Sequence, residues 1–243
     1  MRIVSLKYNV AFLVCVLTLS TNAQNAKQDI LKINEAYSKF SHLSMNITYN
    51  LFKNYTANVP FESESGYFQQ QGTLRYSKLK EIESLQNKNC LVVIDNEDKL
   101  IVVGNPVKFN AKKITLLDLD TALTKCSSVS FIDAGSTLSC YKMSFRQDIV
   151  SEFDAIDLYF NKKSFLVEKM VFYYREKIRI NEEDETSPKE KPKLEVVFSK
   201  MKFDKISDET FYSETRFVEK RKGKYFPVSA YSEYELIDQK IAK

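Results

Sequence analysis

Glycine and proline are scarce in this sequence of 243 residues, with five of each. Loops that cradle phosphate groups need glycine because the backbone has to approach the ligand closely. None of the glycine-rich nucleotide-binding motifs is present, so the sequence argues against a nucleotide-binding function. The chain is instead rich in aromatic residues, with 17 Phe and 14 Tyr. Such residues favour the pleated, half-buried surface of a β-strand.

An excess of charge of one sign is also lacking. The chain carries 36 basic and 32 acidic residues, which gives a net charge of +4. Domains that bind nucleic acid usually present a basic face and have a pI above about 9. We therefore expect no nucleic-acid partner.

Histidine occurs once, at position 42, and this limits the catalytic chemistry open to the chain. A Ser-His-Asp relay or a histidine-rich zinc site would need His42 to stand in a pocket, and we interpret it as a loop residue instead. The run Asp95-Asn96-Glu97-Asp98 starts like a calcium loop but lacks the glycine and the closing glutamate of that loop, so we interpret it as a β-turn. We expect no catalytic residue, no metal site and no cofactor, and hence a protein that is not an enzyme.

The N-terminus has the layout of a secretory signal peptide. Arg2 and Lys7 precede an apolar run, Val10 to Leu19, which ends in small residues. This run of ten residues is too short to cross a bilayer, which needs roughly 20. We predict a signal peptide at residues 1–23 and a mature chain of residues 24–243, without a transmembrane anchor, in the periplasm or else secreted.

Hydrophobic spacing predicts one opening helix followed by strands. From Asp29 to Phe40 the apolar residues recur at three and four residues, which is typical of an amphipathic helix. From Met45 to Leu51 they alternate with polar residues, as in a strand with one wet face. A second, short leucine-rich helix is predicted at 115–125, and strands on both sides of it are joined by turn signals.

A charged segment interrupts the later strands. Residues 181–193 hold almost no apolar side chain and contain two prolines, so we predict a mobile loop there. We see neither a repeat nor a linker. Because β-rich folds often reach roughly 200–250 residues undivided, we expect a single domain.

Three cysteines remain after the predicted cleavage: Cys90, Cys126 and Cys140. Cys126 lies seven residues before the predicted turn at 133–136 and Cys140 four residues after it, and we interpret the two as cross-strand partners. In an oxidising compartment this spacing predicts a disulfide between them, with Cys90 free. The alternative is three reduced, buried thiols.

The order of elements resembles that of the periplasmic outer-membrane lipoprotein carrier (LolA-like) family. The similarity runs over Asp29 to Lys240 and is best in the opening helix and strand, in the Ile94 to Val103 hairpin, and in the terminal Ile237-Asp238-Gln239-Lys240. The resemblance implies an α+β fold, mainly antiparallel β. It further implies a curved sheet or unclosed β-barrel, with a long N-terminal helix and a short helix covering the concave face.

The resemblance also implies an apolar interior that shelters acyl chains. Strands around such a cavity need one apolar face, and ten residues are candidates for its lining, although they could equally fill a closed core. The candidate ligand-binding residues are Tyr49, Leu51, Leu74, Tyr76, Val93, Val102, Phe145, Leu158, Phe160 and Val171.

Two functions follow from these observations. The first is a soluble carrier that binds lipoprotein acyl chains or another long-chain lipid and that contacts membrane proteins of the envelope. The second is an interaction or assembly module of the envelope whose sheet is packed and holds no ligand. An apolar cavity would favour the first function, and a filled interior the second.

Overall fold

The computed structural model of the protein describes residues 26–107, 119–179, 186, 188–204 and 208–240. The predicted signal peptide, residues 1–23, lies outside these described residues. So do residues 115–118 of the predicted second helix and residues 181–185 and 187 of the predicted loop.

The described residues are mostly β-strand. Two α-helices occur among them, α1 at residues 26–38 and α2 at Leu119–Thr124. Three short 3-10 helices lie near the C-terminus, at Glu209–Tyr212, Glu214–Arg216 and Ser229–Tyr231. The strands are β1 (His42–Phe52), β2 (Glu62–Gln71), β3 (Leu74–Leu79), β4 (Ile82–Gln86), β5 (Leu91–Asp95), β6 (Leu100–Gly104), β7 (Cys126–Asp133), β8 (Leu138–Phe145), β9 (Phe153–Asn161), β10 (Val167–Tyr174), β11 (Ile178–Arg179), β12 (Lys189–Glu190), β13 (Lys193–Lys202), β14 (Val218–Arg221), β15 (Lys224–Pro227) and β16 (Glu235–Asp238).

Twelve strands form one sheet in the order β16-β6-β5-β4-β3-β2-β1-β13-β10-β9-β8-β7. The hairpin pairs are antiparallel, whereas β16 lies parallel to β6. Within the described part of the chain, the two outermost strands, β16 and β7, each pair with a single neighbouring strand. The sheet is therefore not closed. The predicted architecture, mainly antiparallel with an unclosed sheet, is confirmed.

The chain divides into two compact units. The first unit comprises the described parts of Met1–Tyr37, Leu51–Phe61 and Thr115–Glu195, and the second comprises those of Ser38–Asn50, Glu62–Ile114 and Val196–Lys243. The twelve-stranded sheet supplies strands to both units, and the single domain stays a prediction.

The first unit is built on one apolar face of β8, β9 and β10. Tyr141 pairs with Leu158, which in turn pairs with Met170. Because side chains alternate between the faces of a strand, residues two apart on each strand join this face. An irregularity between Val167 and Lys169 brings Val167, opposite Phe160, to the same face. Its members are all buried: Tyr141, Met143, Phe145, Ile156, Leu158, Phe160, Val167 and Met170. We call this set the apolar face.

Helix α1 is bonded to one end of the apolar face. The Tyr141 hydroxyl donates to the Asp29 carboxylate at 2.8 Å, and the Val167 N–H donates to the Tyr37 hydroxyl at 3.1 Å. Ile30 and Ile33 of the same helix are buried. Burial raises the pKa of Tyr37 to about 12, and burial and the Asp29 carboxylate also raise the pKa of Tyr141, so both contacts involve a neutral tyrosine at physiological pH.

The second unit has a separate, aromatic-rich core. Buried side chains from β3 to β6 pack there with residues of the C-terminal segment. Gln69 donates to the Tyr212 hydroxyl at 2.7 Å, and Asn87 donates to the Tyr212 carbonyl at 3.1 Å. The core residues are Tyr76, Leu85, Cys90, Val92, Ile94, Ile101, Val103, Tyr212, Phe217, Val218 and Tyr225.

Strand structure extends into the segment for which the sequence predicts a loop, residues 181–193. Lys189–Glu190 pairs with Ile178–Arg179 as a small antiparallel ribbon, and β13 begins at Lys193. A two-residue ladder needs backbone hydrogen bonds but no apolar face, which explains why hydrophobic content did not reveal it.

The predicted Cys126–Cys140 disulfide is wrong. In the β7–β8 ladder Cys126 lies opposite Phe145, whereas Cys140 lies opposite Ile132. The two cysteines are thus offset by five residues along β8, or about 17 Å at 3.4 Å per residue, far beyond the reach of a disulfide. Both thiols are free, and burial raises the pKa of each to about 11.

Two strand glycines give a test of the register of the second unit. A Cβ at Gly66 would lie 2.7 Å from the Lys78 carbonyl oxygen, whereas a Cβ at Gly104 would meet nothing within 4 Å. We expect Gly66→Ala to lower the free energy of unfolding by about 1–3 kcal/mol because backbone has to shift. Gly104→Ala should be neutral or stabilising by up to about 1 kcal/mol. Urea denaturation followed by circular dichroism measures both, and equal effects would contradict the β2–β3 register.

Candidate functional site

A pocket of about 330 Å³ opens in the first unit, at the end of the apolar face that carries Phe145. Strands β8, β9 and β10 supply its floor, and α2 and the connection between β8 and β9 supply its walls. The lining residues are Thr121, Ala122, Lys125, Phe145, Val150, Ser151, Glu152, Phe153, Ile156 and Phe172.

The floor follows from the register of the strands. Ile156 on β9 lies opposite Phe172 on β10, and the rings of Phe153 and Phe172 have centroids 5.1 Å apart. On α2, Leu119 is buried, and Ala122 presents a methyl group where a larger side chain would occupy the space. The floor therefore consists of aromatic and aliphatic carbon.

Polar groups stand at the margin of the pocket. Lys125 and Glu152 are exposed, so their charges remain hydrated. The Ser151 hydroxyl donates to the Phe153 carbonyl at 3.0 Å and accepts from the Phe153 N–H at 3.1 Å, which binds it to the local turn. The described lining residues thus offer an apolar surface with one charge of each sign at the mouth of the pocket, and this suits a chain of methylene groups.

Arg175 anchors the loop that forms one wall. Its guanidinium donates to the carbonyls of Arg146 and Ile149 at 3.1 and 2.9 Å. It also donates to the Phe153 carbonyl at 3.4 Å and to the Asp154 carboxylate at 3.2 Å. One side chain thereby fixes both ends of the loop that carries Val150, which is fully exposed at the rim.

Asp154 links this anchor to neighbouring segments. Its carboxylate accepts from Lys191 at 2.6 Å and from the Tyr55 hydroxyl at 3.2 Å. Burial alone would raise the pKa of Asp154, but hydrogen bonds from Lys191, Tyr55 and Arg175 hold it below its usual value. Burial and the Asp154 charge raise the pKa of Tyr55 to about 12. The network is therefore a charged carboxylate with cationic and neutral donors.

Of the ten candidate ligand-binding residues, Phe145 lines the pocket. Leu158 and Phe160 belong to the same apolar face but are buried further along it. Phe160 stacks on Tyr141, with ring centroids 5.7 Å apart. Val171 lies opposite Asp157, so it is on the other face of the sheet. Of these four residues, Phe145 lines the pocket, whereas Leu158, Phe160 and Val171 are buried elsewhere in the sheet.

The remaining candidates belong to the second unit, except Leu51, which belongs to the first. Tyr76 belongs to the packed aromatic core, and Leu74 packs against it. Val93 pairs with Val102, and both are half-buried on the face opposite the core. Tyr49 and Leu51 of β1 are also half-buried. Ligand binding by the ten residues stays a prediction.

The sequence did not reveal most of the pocket, and a β-bulge is one reason. Ala155 pairs with Tyr173 and Phe153 pairs with Tyr174, so Asp154 is an extra residue in β9. Strict alternation from Leu158 would direct residue 154 to the apolar face. The bulge shifts the alternation of side chains by one residue, as bulges beside binding sites commonly do. Phe153 therefore lines the pocket instead of Asp154.

A deletion of the Arg175 side chain tests the anchor. We expect Arg175→Ala to lower the free energy of unfolding by about 2–3 kcal/mol, because several hydrogen bonds to a charged donor are lost. Arg146→Ala is the control, since the Arg146 guanidinium is 3.7 Å from the exposed Asp148 carboxylate and such pairs contribute at most about 1 kcal/mol. Urea denaturation of both variants measures the difference, and equal losses would contradict the anchoring role.

Within the described part of the chain, no helix is long and apolar enough to cross a membrane. No protein-family model matches the chain, and no curated protein matches it.

Several solved structures are similar to the chain at low identity. An uncharacterized conserved protein from Thermus thermophilus is 9% identical, with 88% of this chain and 99% of that chain covered and a TM-score of 0.45. Lipoprotein LppX from Mycobacterium tuberculosis is 8% identical, with 76% and 98% covered and a TM-score of 0.34. A LolA superfamily protein from Nitrosomonas europaea is 12% identical, with 76% and 97% covered and a TM-score of 0.32. The likeness to LolA superfamily proteins that the sequence predicts is found among these solved structures.

Proposed function

We propose that the protein is an exported carrier that shelters an acyl chain of a lipoprotein, or of another long-chain lipid, in the pocket between α2 and β8–β10. The observation that carries this proposal is the apolar floor of a pocket of about 330 Å³. In this proposal α1 and α2 cover the same apolar face of the sheet, and the pocket is the part of that face that remains accessible. The protein acts in the periplasm, or outside the cell if it is secreted.

Burial of methylene groups supplies the binding energy in this proposal. Each buried methylene contributes about 0.8 kcal/mol, so a chain that buries ten of them gains about 8 kcal/mol before the entropic cost of association is subtracted. Ligand pockets span about 300–1,000 Å³, and this pocket lies at the lower end of that range. It therefore takes one chain, or part of one chain, at a time.

The side chains at the pocket support binding rather than catalysis. Among the described residues of the lining, Glu152 is the one carboxylate, and it is exposed. Carboxyl groups that act in acid/base chemistry are commonly desolvated in a cleft beside a specific charged partner. The hydroxyl of Ser151 is bonded to the backbone of Phe153. We accordingly propose that the protein is not an enzyme and needs no cofactor.

The packed core of the second unit favours a second candidate function. Its aromatic residues fill the interior between the sheet and the C-terminal segment, as a protein-interaction module of the envelope would require. In a carrier, this unit would be the rigid part that contacts envelope membrane proteins during loading or release. In an interaction module, it would be the functional unit and the pocket of the first unit would stay empty.

A pocket-filling substitution separates the two functions. Ala122 lines the pocket, whereas Thr124 lies on the same helix, is exposed and does not line it. We expect Ala122→Phe to weaken binding of a fluorescent fatty-acid probe at least tenfold, because the added ring occupies the volume of several methylenes. Thr124→Phe should bind the probe as the wild type does. Probe titration measures affinity, and circular dichroism verifies that both variants are folded.

The outcomes distinguish the two functions. A wild-type protein that binds no probe, or an Ala122→Phe variant that is folded and binds with unchanged affinity, would exclude the pocket as the site of an acyl chain. The first of these results would favour the interaction module.

A further inference from the structure

Strand β7 is the outermost strand of the sheet at one end of the strand order. Within the described residues it pairs with β8 and with no other strand. Most of its side chains are exposed, including Phe131 at 45% and Ile132 at 39%. An edge of this kind presents unpaired backbone N–H and C=O groups on which another strand can pair.

The two edges of the sheet differ in how they are protected. At the other end, β16 is four residues long and has a carboxylate at each terminus, Glu235 and Asp238. Short edge strands and charged side chains are common means of preventing edge pairing. Strand β7 has eight residues, no proline and no basic residue, and one charged residue, Asp133, at its end. Its single irregularity is a bulge at Ser127, so the stretch from Ser128 to Asp133 is regular.

We propose that β7 pairs antiparallel with β7 of a second copy of the chain, around a two-fold axis at Ser130. The two-fold axis requires directly opposite residues to lie on the same face of both sheets. When the axis passes through Ser130, Phe131 lies opposite Val129 of the second copy, and Ile132 lies opposite Ser128 of the second copy. Aromatic and β-branched residues are a favourable cross-strand pair.

The sequence of β7 is self-complementary in this register. Phe131 stacks edge-on against Tyr141, with ring centroids 5.4 Å apart, so the Phe131–Val129 pair continues the aromatic row of the apolar face across the dimer. Within its own chain the Asp133 carboxylate is paired with Lys162 at 2.6 Å. In the dimer Asp133 lies near the start of β7 of the second copy, which directly follows Lys125. Two carboxylates are therefore kept apart, and each lies towards a basic residue.

The pairing area sets the expected strength of the dimer. A stable interface buries about 800 Å² on each partner, which is more than six paired strand residues provide. The dimer should therefore be reversible and dependent on concentration. It leaves the pocket in each copy intact, because its floor lies on β8–β10 and β7 contributes no residue to the lining.

A charge at the two-fold axis tests the proposal. Ser130 is exposed and lies opposite Lys142 within the chain, so Ser130→Glu adds a favourable cross-strand neighbour to the monomer. In the dimer the same substitution sets two carboxylates directly opposite each other, which should weaken association roughly tenfold. Ser130→Gln has the same length without the charge and should keep the dimer. Sedimentation equilibrium across a concentration series measures all three proteins.

Cross-linking tests the register independently. Ser130→Cys should form a covalent dimer with a short bis-maleimide, because the two thiols meet at the axis. Ser128→Cys alone should not, whereas a mixture of Ser128→Cys and Ile132→Cys should. Wild type, with its half-buried Cys126, is the background control. A wild type that stays monomeric at all concentrations, a dimer unaffected by Ser130→Glu, or equal cross-linking of Ser128→Cys alone would overturn the proposal.

Discussion

The first unit depends on the burial of one face of β8, β9 and β10. The register brings Tyr141, Leu158 and Met170 side by side, and every second residue on these strands joins them. A shift by one residue would expose this face and bury Lys142 and Lys169 instead. Removal of so much apolar surface from water is the main favourable contribution to folding. The positions of α1 and of the pocket follow from it.

One end of that face is closed and the other is accessible. At the Tyr141 end, hydrogen bonds to Asp29 and Tyr37 fix α1 in place. At the Phe145 end, α2 presents Ala122, and the loop held by Arg175 stands around the opening. The face thus combines a packed part with an open part, which a carrier needs because a ligand has to enter without unfolding the protein.

Part of this structure could be predicted from the sequence. Alternation from Met45 to Leu51 located β1, and the turn at Asp95 to Asp98 located the β5–β6 hairpin. Features that depend on register could not be predicted, because a hairpin turn does not determine which residues lie opposite each other. The Cys126–Cys140 pairing was wrong for this reason, and the bulge at Asp154 concealed Phe153 as a pocket residue.

The most direct measurement of the central claim is photo-cross-linking with a fatty acid that carries a diazirine near the end of its chain, followed by peptide mapping. We expect the label to attach to the floor of the pocket, at residues such as Phe145, Ile156 and Phe172, and excess unlabelled fatty acid to abolish the labelling. Labelling that is spread over exposed residues and insensitive to competition, or that is confined to the second unit, would show that the pocket does not hold the acyl chain.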